Sequence, residues 1–154
     1  AARRAIVMIS HSVRETKRLA ATLVQKILAS RLHQKHARVV ALIGELGAGK
    51  TTFVQGFAKA LGIRHRVASP TFLIFRPYTL NANPYTLFYH VDVYRIHDPA
   101  ELSVLKFKEI LSDPRNIVLI EWAEKIKKLL PKDTIWVRFA HRKKEHERHI
   151  DFGL

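Results

Sequence analysis

The 154-residue chain has no cysteine. That excludes a disulfide framework and any thiolate-ligated metal centre, and it fits a reducing cytoplasm. Long apolar runs are missing as well. None approaches the roughly 18 residues of a membrane-spanning helix, and the segment after Ala1-Ala2-Arg3-Arg4 does not read as the apolar core of a signal peptide. Acidic residues are few: 13 Asp and Glu stand against 27 Lys and Arg, a formal net charge of +14. With a pI near 10.5, such a surface either attracts a polyanion (nucleic acid, acidic protein or anionic lipid) or is a solvated basic face. Glycine is also scarce. The chain has six, and three of them fall in the short stretch Gly44-Glu45-Leu46-Gly47-Ala48-Gly49.

What remains is an ordinary globular mixture, 47% hydrophobic and 26% charged. The length suits one domain over residues 1–154. Ile6 to Ile9 is a short strand-like run. Ser12-Val13-Arg14-Glu15 has a capping-box pattern, and Val13, Ala20, Leu23, Val24, Ile27 and Leu28 recur at helical spacing, which predicts a helix from 13 to about 32. Val39 to Ile43 reads as a buried strand. Phe53, Val54, Phe57, Ala58 and Leu61 mark a second helix that Gly62 closes. Strands are expected over 71–78 and 86–95 around Asn81-Ala82-Asn83-Pro84. A helix is expected from the cap Asp98 to about Leu111, then a buried strand at Ile117 to Ile120, and a hairpin from 134–140 and 147–152. This alternation predicts an α/β fold of the P-loop NTPase-like, three-layer kind, with helices on both faces of a central mixed sheet.

Gly44, Gly49, Lys50 and Thr51 satisfy G-x-x-x-x-G-K-[ST] between a predicted strand and a predicted helix, the context that marks a phosphate-binding loop. Glycines let backbone N–H groups close round an anion, and the following helix adds its free N–H groups and positive dipole end. Lys50 is the residue to reach the outer phosphates, and Thr51 the hydroxyl for Mg2+. Glu45 has no evident role in such a loop. Glu121, directly after Ile117 to Ile120, reads as the metal-side acid, or else as an ordinary carboxylate at a strand end. Trp122 beside it is either a cover over the site or core. In His90-Val91-Asp92-Val93-Tyr94-Arg95, alternation sends Val91 and Val93 to one face and His90, Asp92 and Tyr94 to the other. Asp92 is placed either to order a metal-bound water or to act as base for the attacking water. His90 is equally a structural, hydrogen-bonded residue. Thr71 in Ser69-Pro70-Thr71 is either a strand start or a γ-phosphate sensor of the switch-loop kind.

Together, and in this order, Gly-Glu-Leu-Gly-Ala-Gly-Lys-Thr-Thr-Phe, Ser-Pro-Thr-Phe, His-x-Asp-x-Tyr-Arg and Ile-Glu-Trp resemble the TsaE family. Those proteins are small bacterial ATPases of tRNA threonylcarbamoyladenosine biosynthesis. The resemblance covers residues from about 10 to 152. It implies cytoplasmic ATP binding and slow, Mg2+-dependent hydrolysis in support of TsaD and TsaB, which transfer threonylcarbamoyl to the adenosine beside the tRNA anticodon. The chain itself is not expected to be the transferase. Residue by residue, Gly47, Ala48, Gly49, Lys50, Thr51 and Thr52 match the phosphate loop, and Thr51 and Glu121 the metal side. Thr71 matches the switch-like loop and Asp92 the acidic residue of the catalytic site. Thr16 matches a threonine near the nucleotide-base pocket, and Glu124 and Arg148 match positions that approach the nucleotide. The chain departs from the family after Glu101-Leu102, where a glycine usually follows within a few residues. Here Val104-Leu105-Lys106-Phe107-Lys108 stands instead.

Two other functions compete. A P-loop small-molecule kinase needs a second pocket and a mobile basic lid, for which Arg142-Lys143-Lys144 is the candidate. A non-enzymatic nucleic-acid binder would explain the charge, but no aromatic-bearing RNA-binding sheet is recognisable. The absence of an Asn-Lys-x-Asp segment favours ATP over GTP. Lys and Arg crowd the first helix, where Arg14, Lys17 and Arg18 share one side. That basic surface is expected to steer the encounter with partner proteins, with tRNA reached through the complex.

Overall fold

A computed structural model describes residues 5–30, 34–44, 49–67, 70, 74–141 and 147–153. Among the described residues, seven strands form one sheet in the order β1-β7-β6-β2-β5-β4-β3. Its centre is β2 (Arg38–Gly44), parallel to both β5 (Asn116–Glu121) and β6 (Ile135–His141). β4 (Tyr85–Asp92) runs parallel to β5 and carries β3 (Phe75–Ala82) antiparallel at the edge. At the other edge, β7 (Arg148–Gly153) lies antiparallel between β6 and β1 (Ala5–Ser10). Every residue of β5 is buried, as its unbroken apolar run requires of a strand covered on both faces.

Two apolar layers do the covering. On one face α1 (Val13–Ala29) and α2 (Lys50–Ala60) pack Leu23, Val24, Phe53 and Phe57 against Leu42, Phe88 and Leu119. On the other, α3 (Phe107–Ser112) and two 3₁₀ segments, Pro99–Leu105 and Ala123–Leu129, enclose Ala41, Val91, Val118 and Ile120. The sheet with helices on both faces is the architecture expected from the alternation of elements.

Local chemistry sets the boundaries. Ser12 Oγ accepts from the Glu15 N–H at 3.1 Å, while the Glu15 carboxylate accepts from the His11 N–H at 2.7 Å. α1 then stops at Ala29 rather than near 32, because the Ser30 N–H closes the last turn onto Lys26 and Ile27. At the end of α2, Gly62 N–H returns to Lys59 O and Ile63 N–H to Ala58 O, the paired bonds of a Schellman motif. β3 starts later than expected, and the β3–β4 hairpin turns on Asn83-Pro84 alone. β4 ends at Asp92, not Arg95, because the Asp92 side chain accepts from the Tyr94 N–H at 2.9 Å and turns the chain.

The helix expected from Asp98 to Leu111 is two helices. Its start is as read: Asp98 and Glu101 form a reciprocal capping box. At Lys106 the backbone turns left-handed (φ 56°), and α3 begins afresh at Phe107. The break lets both Leu102 and Phe107 reach the same apolar layer. A lysine in that conformation costs roughly 1–2 kcal/mol against its right-handed form. Lys106→Gly is therefore expected to raise stability by up to about 1 kcal/mol once the entropy of glycine is set against the relief, read as a higher denaturant midpoint at unchanged slope.

Candidate functional site

The carboxyl ends of three parallel strands meet the start of α2. Glu121 at the end of β5 is in register with Leu42 of β2 on one side and with Asp92, the last residue of β4, on the other. Alternation puts Glu121 on the same face as Leu119, and Asp92 on the same face as Phe88. Both carboxylates therefore look toward the α1–α2 layer that holds Leu119 and Phe88. α2 starts at Lys50 behind Gly49, a left-handed cap (φ 98°) that supplies no side-chain hydrogen bond to the first turn. An α-helix that begins this way presents its first N–H groups and its positive end to an anion. At Gly44 the constraint is steric: an added Cβ would stand 2.8 Å from the backbone oxygen of Phe139 on β6. Glycine is needed there for strand packing, apart from any ligand.

Lys50 is the centre of the site. It is only 6% exposed. Its Nζ donates to Gly44 O at 2.6 Å and lies 3.9 Å from the centre of the Trp122 ring. Burial holds its pKa below the ordinary lysine value, more strongly than the carboxylates of Glu121, Glu124 and Asp92 pull it back up. Trp122 reaches the ammonium from a left-handed backbone (φ 60°), and its other neighbour is the Tyr94 ring, 5.0 Å away. Lys125 closes the stack, bonding Tyr94 O with its Nζ 5.2 Å from that ring. Trp122 is thus a wall of the site that also packs on the apolar layer.

His90 sits two residues inside Asp92 on the same face of β4, with Nε2 2.8 Å from Glu121 Oε2, and both His90 and Glu121 are buried. Its Nδ1 is buried and has no partner among the described residues. The neutral tautomer with the proton on Nε2 suits both facts, since it donates to the carboxylate and leaves only a bare ring nitrogen unsatisfied. Tyr94 does not continue the polar row of His90 and Asp92. It lies past the end of β4, half exposed, in the turn that Asp92 makes.

A second group of expected residues converges beside Gly49. A cavity of about 100 Å3 is lined by Thr16, Gly49, Thr52 and Arg148 with His11, Ser12 and Val13. Thr16 is buried and its Oγ1 lies 2.7 Å from Ser10 Oγ. Arg148 packs its side chain against Gly49. Thr51 is exposed in the first turn of α2, and Glu124 is exposed on the 3₁₀ segment within electrostatic reach of Lys50. Gly47, Ala48 and Thr71, with Glu45 and the basic run Arg142-Lys143-Lys144, lie outside the described residues. Ser10 was not singled out from the sequence. Its only signal there is a serine closing an apolar run two residues before the helix cap.

The model of the family described as "Threonylcarbamoyl adenosine biosynthesis protein TsaE" matches residues 10–150. The chain belongs to the TsaE family. Among curated proteins it is 41% identical to the tRNA threonylcarbamoyladenosine biosynthesis protein TsaE of Bacillus subtilis, over 77% of this chain and 70% of the relative. It is 37% identical to the TsaE of Haemophilus influenzae, over 72% of this chain and 68% of that one. Among solved structures it resembles YdiB of Bacillus subtilis with a TM-score of 0.70 and 31% identity, over 97% of this chain and 84% of that chain. The TsaE match takes in every site residue named above, from Thr16 to Arg148.

The His90–Glu121 contact is testable by itself. His90→Leu is expected to cost about 1–3 kcal/mol, because it leaves a buried carboxylate without its donor. Adding Glu121→Leu should recover part of that loss, since two apolar groups then face each other. Denaturant unfolding of the single and double variants measures both.

Proposed function

We propose that the chain is an ATP-binding, Mg2+-dependent P-loop ATPase. It works in the cytoplasm, in tRNA threonylcarbamoyladenosine biosynthesis, supporting the TsaD and TsaB proteins without being the transferase. Its family membership supports the pathway. The observation that carries the chemistry is Lys50: a buried ammonium at an uncapped helix N-terminus, facing the carboxylates of Glu121, Asp92 and Glu124.

The residues suit a magnesium nucleotide. Lys50 is a desolvated cation whose present partners, Gly44 O and the Trp122 face, are neutral, and bonds to anionic phosphate oxygens would be stronger. Gly47, Ala48, Gly49, Thr51 and Thr52 would supply the N–H groups of the loop and first turn. Thr16 and Arg148, which line the small cavity together with Gly49 and Thr52, would bound the nucleotide beside the helix cap. The Thr51 hydroxyl and the Glu121 carboxylate are the groups that would hold magnesium. No cluster of three or more His, Asp or Glu is arranged to hold a metal unaided among the described residues, so the ion would share its shell with phosphates, as magnesium commonly does. Bound there, it would neutralise charge on the phosphates undergoing transfer. Asp92, held at the strand end by its bond to the Tyr94 N–H, would orient the attacking water and take its proton. His90 fixes the Glu121 carboxylate, and Thr71 is the candidate to sense the outer phosphate.

The deciding experiment is ATP turnover of the purified chain, alone and with TsaB, TsaD and tRNA. Slow release of free phosphate that rises with the partners supports the reading. A phosphorylated small acceptor would instead make the chain a kinase.

Three variants divide the roles. Lys50→Ala should fold and lose productive ATP binding. Glu121→Ala should weaken Mg–nucleotide binding and its dependence on magnesium. Asp92→Ala should lower turnover more than binding. Each is measured by nucleotide titration and by phosphate release. Full activity in both carboxylate variants would show that neither acid takes part.

A further inference from the structure

The basic residues of the α1–α2 layer are not spread evenly. Between Glu15 and Asp92 the sequence has one acidic residue, Glu45, against eleven Lys and Arg. α1 and α2 cross so closely that a Cβ on Gly56 would stand 2.7 Å from Lys17 Cα. Along the outside of that crossing run two clefts, of about 710 and 640 Å3. The first is lined by Arg14, Lys17, Arg18 and Lys59, and the second by Lys17, Lys59, Arg64 and Arg66. Sharing Lys17 and Lys59, they form one groove from the N-terminal turn of α1 to the loop after α2. Five of the six cations are exposed and Lys17 is half-buried. None forms an ion pair among the described residues.

We infer that this groove binds the phosphate backbone of an RNA duplex. The charge is of one sign and the surface concave, so potentials add within it. Arg14 and Arg18 are about 6 Å apart along the helix axis on one face, which sets a row of cations rather than a point site. No Phe, Tyr or Trp lines either cleft. That argues against stacking on single-stranded bases and against a protein partner, whose interface would favour aromatic anchors and exclude lysine. A sequence-indifferent grip on phosphates is what remains. The groove meets the small cavity at Gly49 only at Val13, and none of its six cations lines that cavity, so this inference is independent of the ATPase reading.

The test uses the whole chain without nucleotide or partner proteins. Fluorescence anisotropy follows a labelled RNA hairpin with a stem of about 16 base pairs, the span a double-stranded RNA-binding domain covers. Binding is expected at about 50 mM salt and should fall steeply by about 200 mM, as phosphate contacts do. Two double reversals, Lys17→Glu with Lys59→Glu and Arg64→Glu with Arg66→Glu, should each weaken binding at least tenfold, with circular dichroism unchanged. Lys127→Glu with Lys128→Glu, the same change in net charge on the opposite layer, should weaken it far less. No binding at low salt would overturn the inference. So would an equal loss in the control pair, which would mean diffuse attraction. Competition by polyglutamate as strong as by unlabelled hairpin would also overturn it, in favour of an acidic protein partner.

Discussion

One ammonium group, buried where three strands end, constrains the rest of the molecule. Among the described residues Lys50 is the single buried lysine or arginine. Taking such a charge from water costs several kcal/mol unless it is paired. Here the compensation comes from five groups: the Gly44 carbonyl, the Trp122 face, and the carboxylates of Asp92 at the end of β4, Glu121 at the end of β5 and Glu124 beyond. These partners come from three strand ends: Gly44 closes β2, Asp92 closes β4, and Glu121, Trp122 and Glu124 stand at and just after the end of β5. The register that places Asp92 beside Glu121, and Glu121 beside Leu42, is therefore also the register that makes the lysine tolerable. Burial still outweighs the carboxylates in their effect on its proton, so the cation is held in a state that further anionic contact would favour.

The terminal strands supply the second wall. A parallel sheet of β6, β2, β5 and β4 is enough to present Glu121, Asp92 and the start of α2. The small cavity needs more. Ser10 closes β1 and Arg148 opens β7, and the two are register partners across the antiparallel edge. Ser10 holds Thr16 and Arg148 rests on Gly49, so the edge added to the parallel core bounds the space beside the helix cap.

The legible and illegible parts of this arrangement divide along physical lines. Features written in adjacent residues were readable: the strand and the helix on either side of the glycine-rich stretch, the capping box of Ser12 and Glu15, the cap at Asp98, Gly62 after α2, and the buried run before Glu121. Features that depend on partners distant in sequence were not. The final hairpin was visible as two strands, but not its insertion between β1 and β2, because nothing in residues 135–153 names a neighbour more than ninety residues earlier. The break at Lys106 was hidden because its cause is the need to bury Leu102 and Phe107 together, while the residue itself prefers a helix. Tyr94 was placed in a row with His90 and Asp92 by strict alternation, which assumes a strand that Asp92 in fact terminates. His90 could be read either way until its ring was seen 2.8 Å from Glu121.

The same two helices face two chemistries, and their sequences show how both are kept. On α1, Thr16 turns inward to Ser10 while Lys17, the next residue, lines the outer groove. On α2, Lys50 and Thr52 face the site at one end, and Lys59 faces the groove at the other. The close crossing at Gly56 joins the faces, because moving either helix would shift both walls at once. Carboxylates cluster where a buried cation needs them and are nearly missing from the layer beyond. A purely solvated basic surface has no reason to exclude acids from the outside of α1 and α2 while they collect at the strand ends. The division of charge between the carboxyl edge of the sheet and the outside of α1 and α2 therefore argues for two distinct anionic ligands, one compact and enclosed, the other extended and held at the surface.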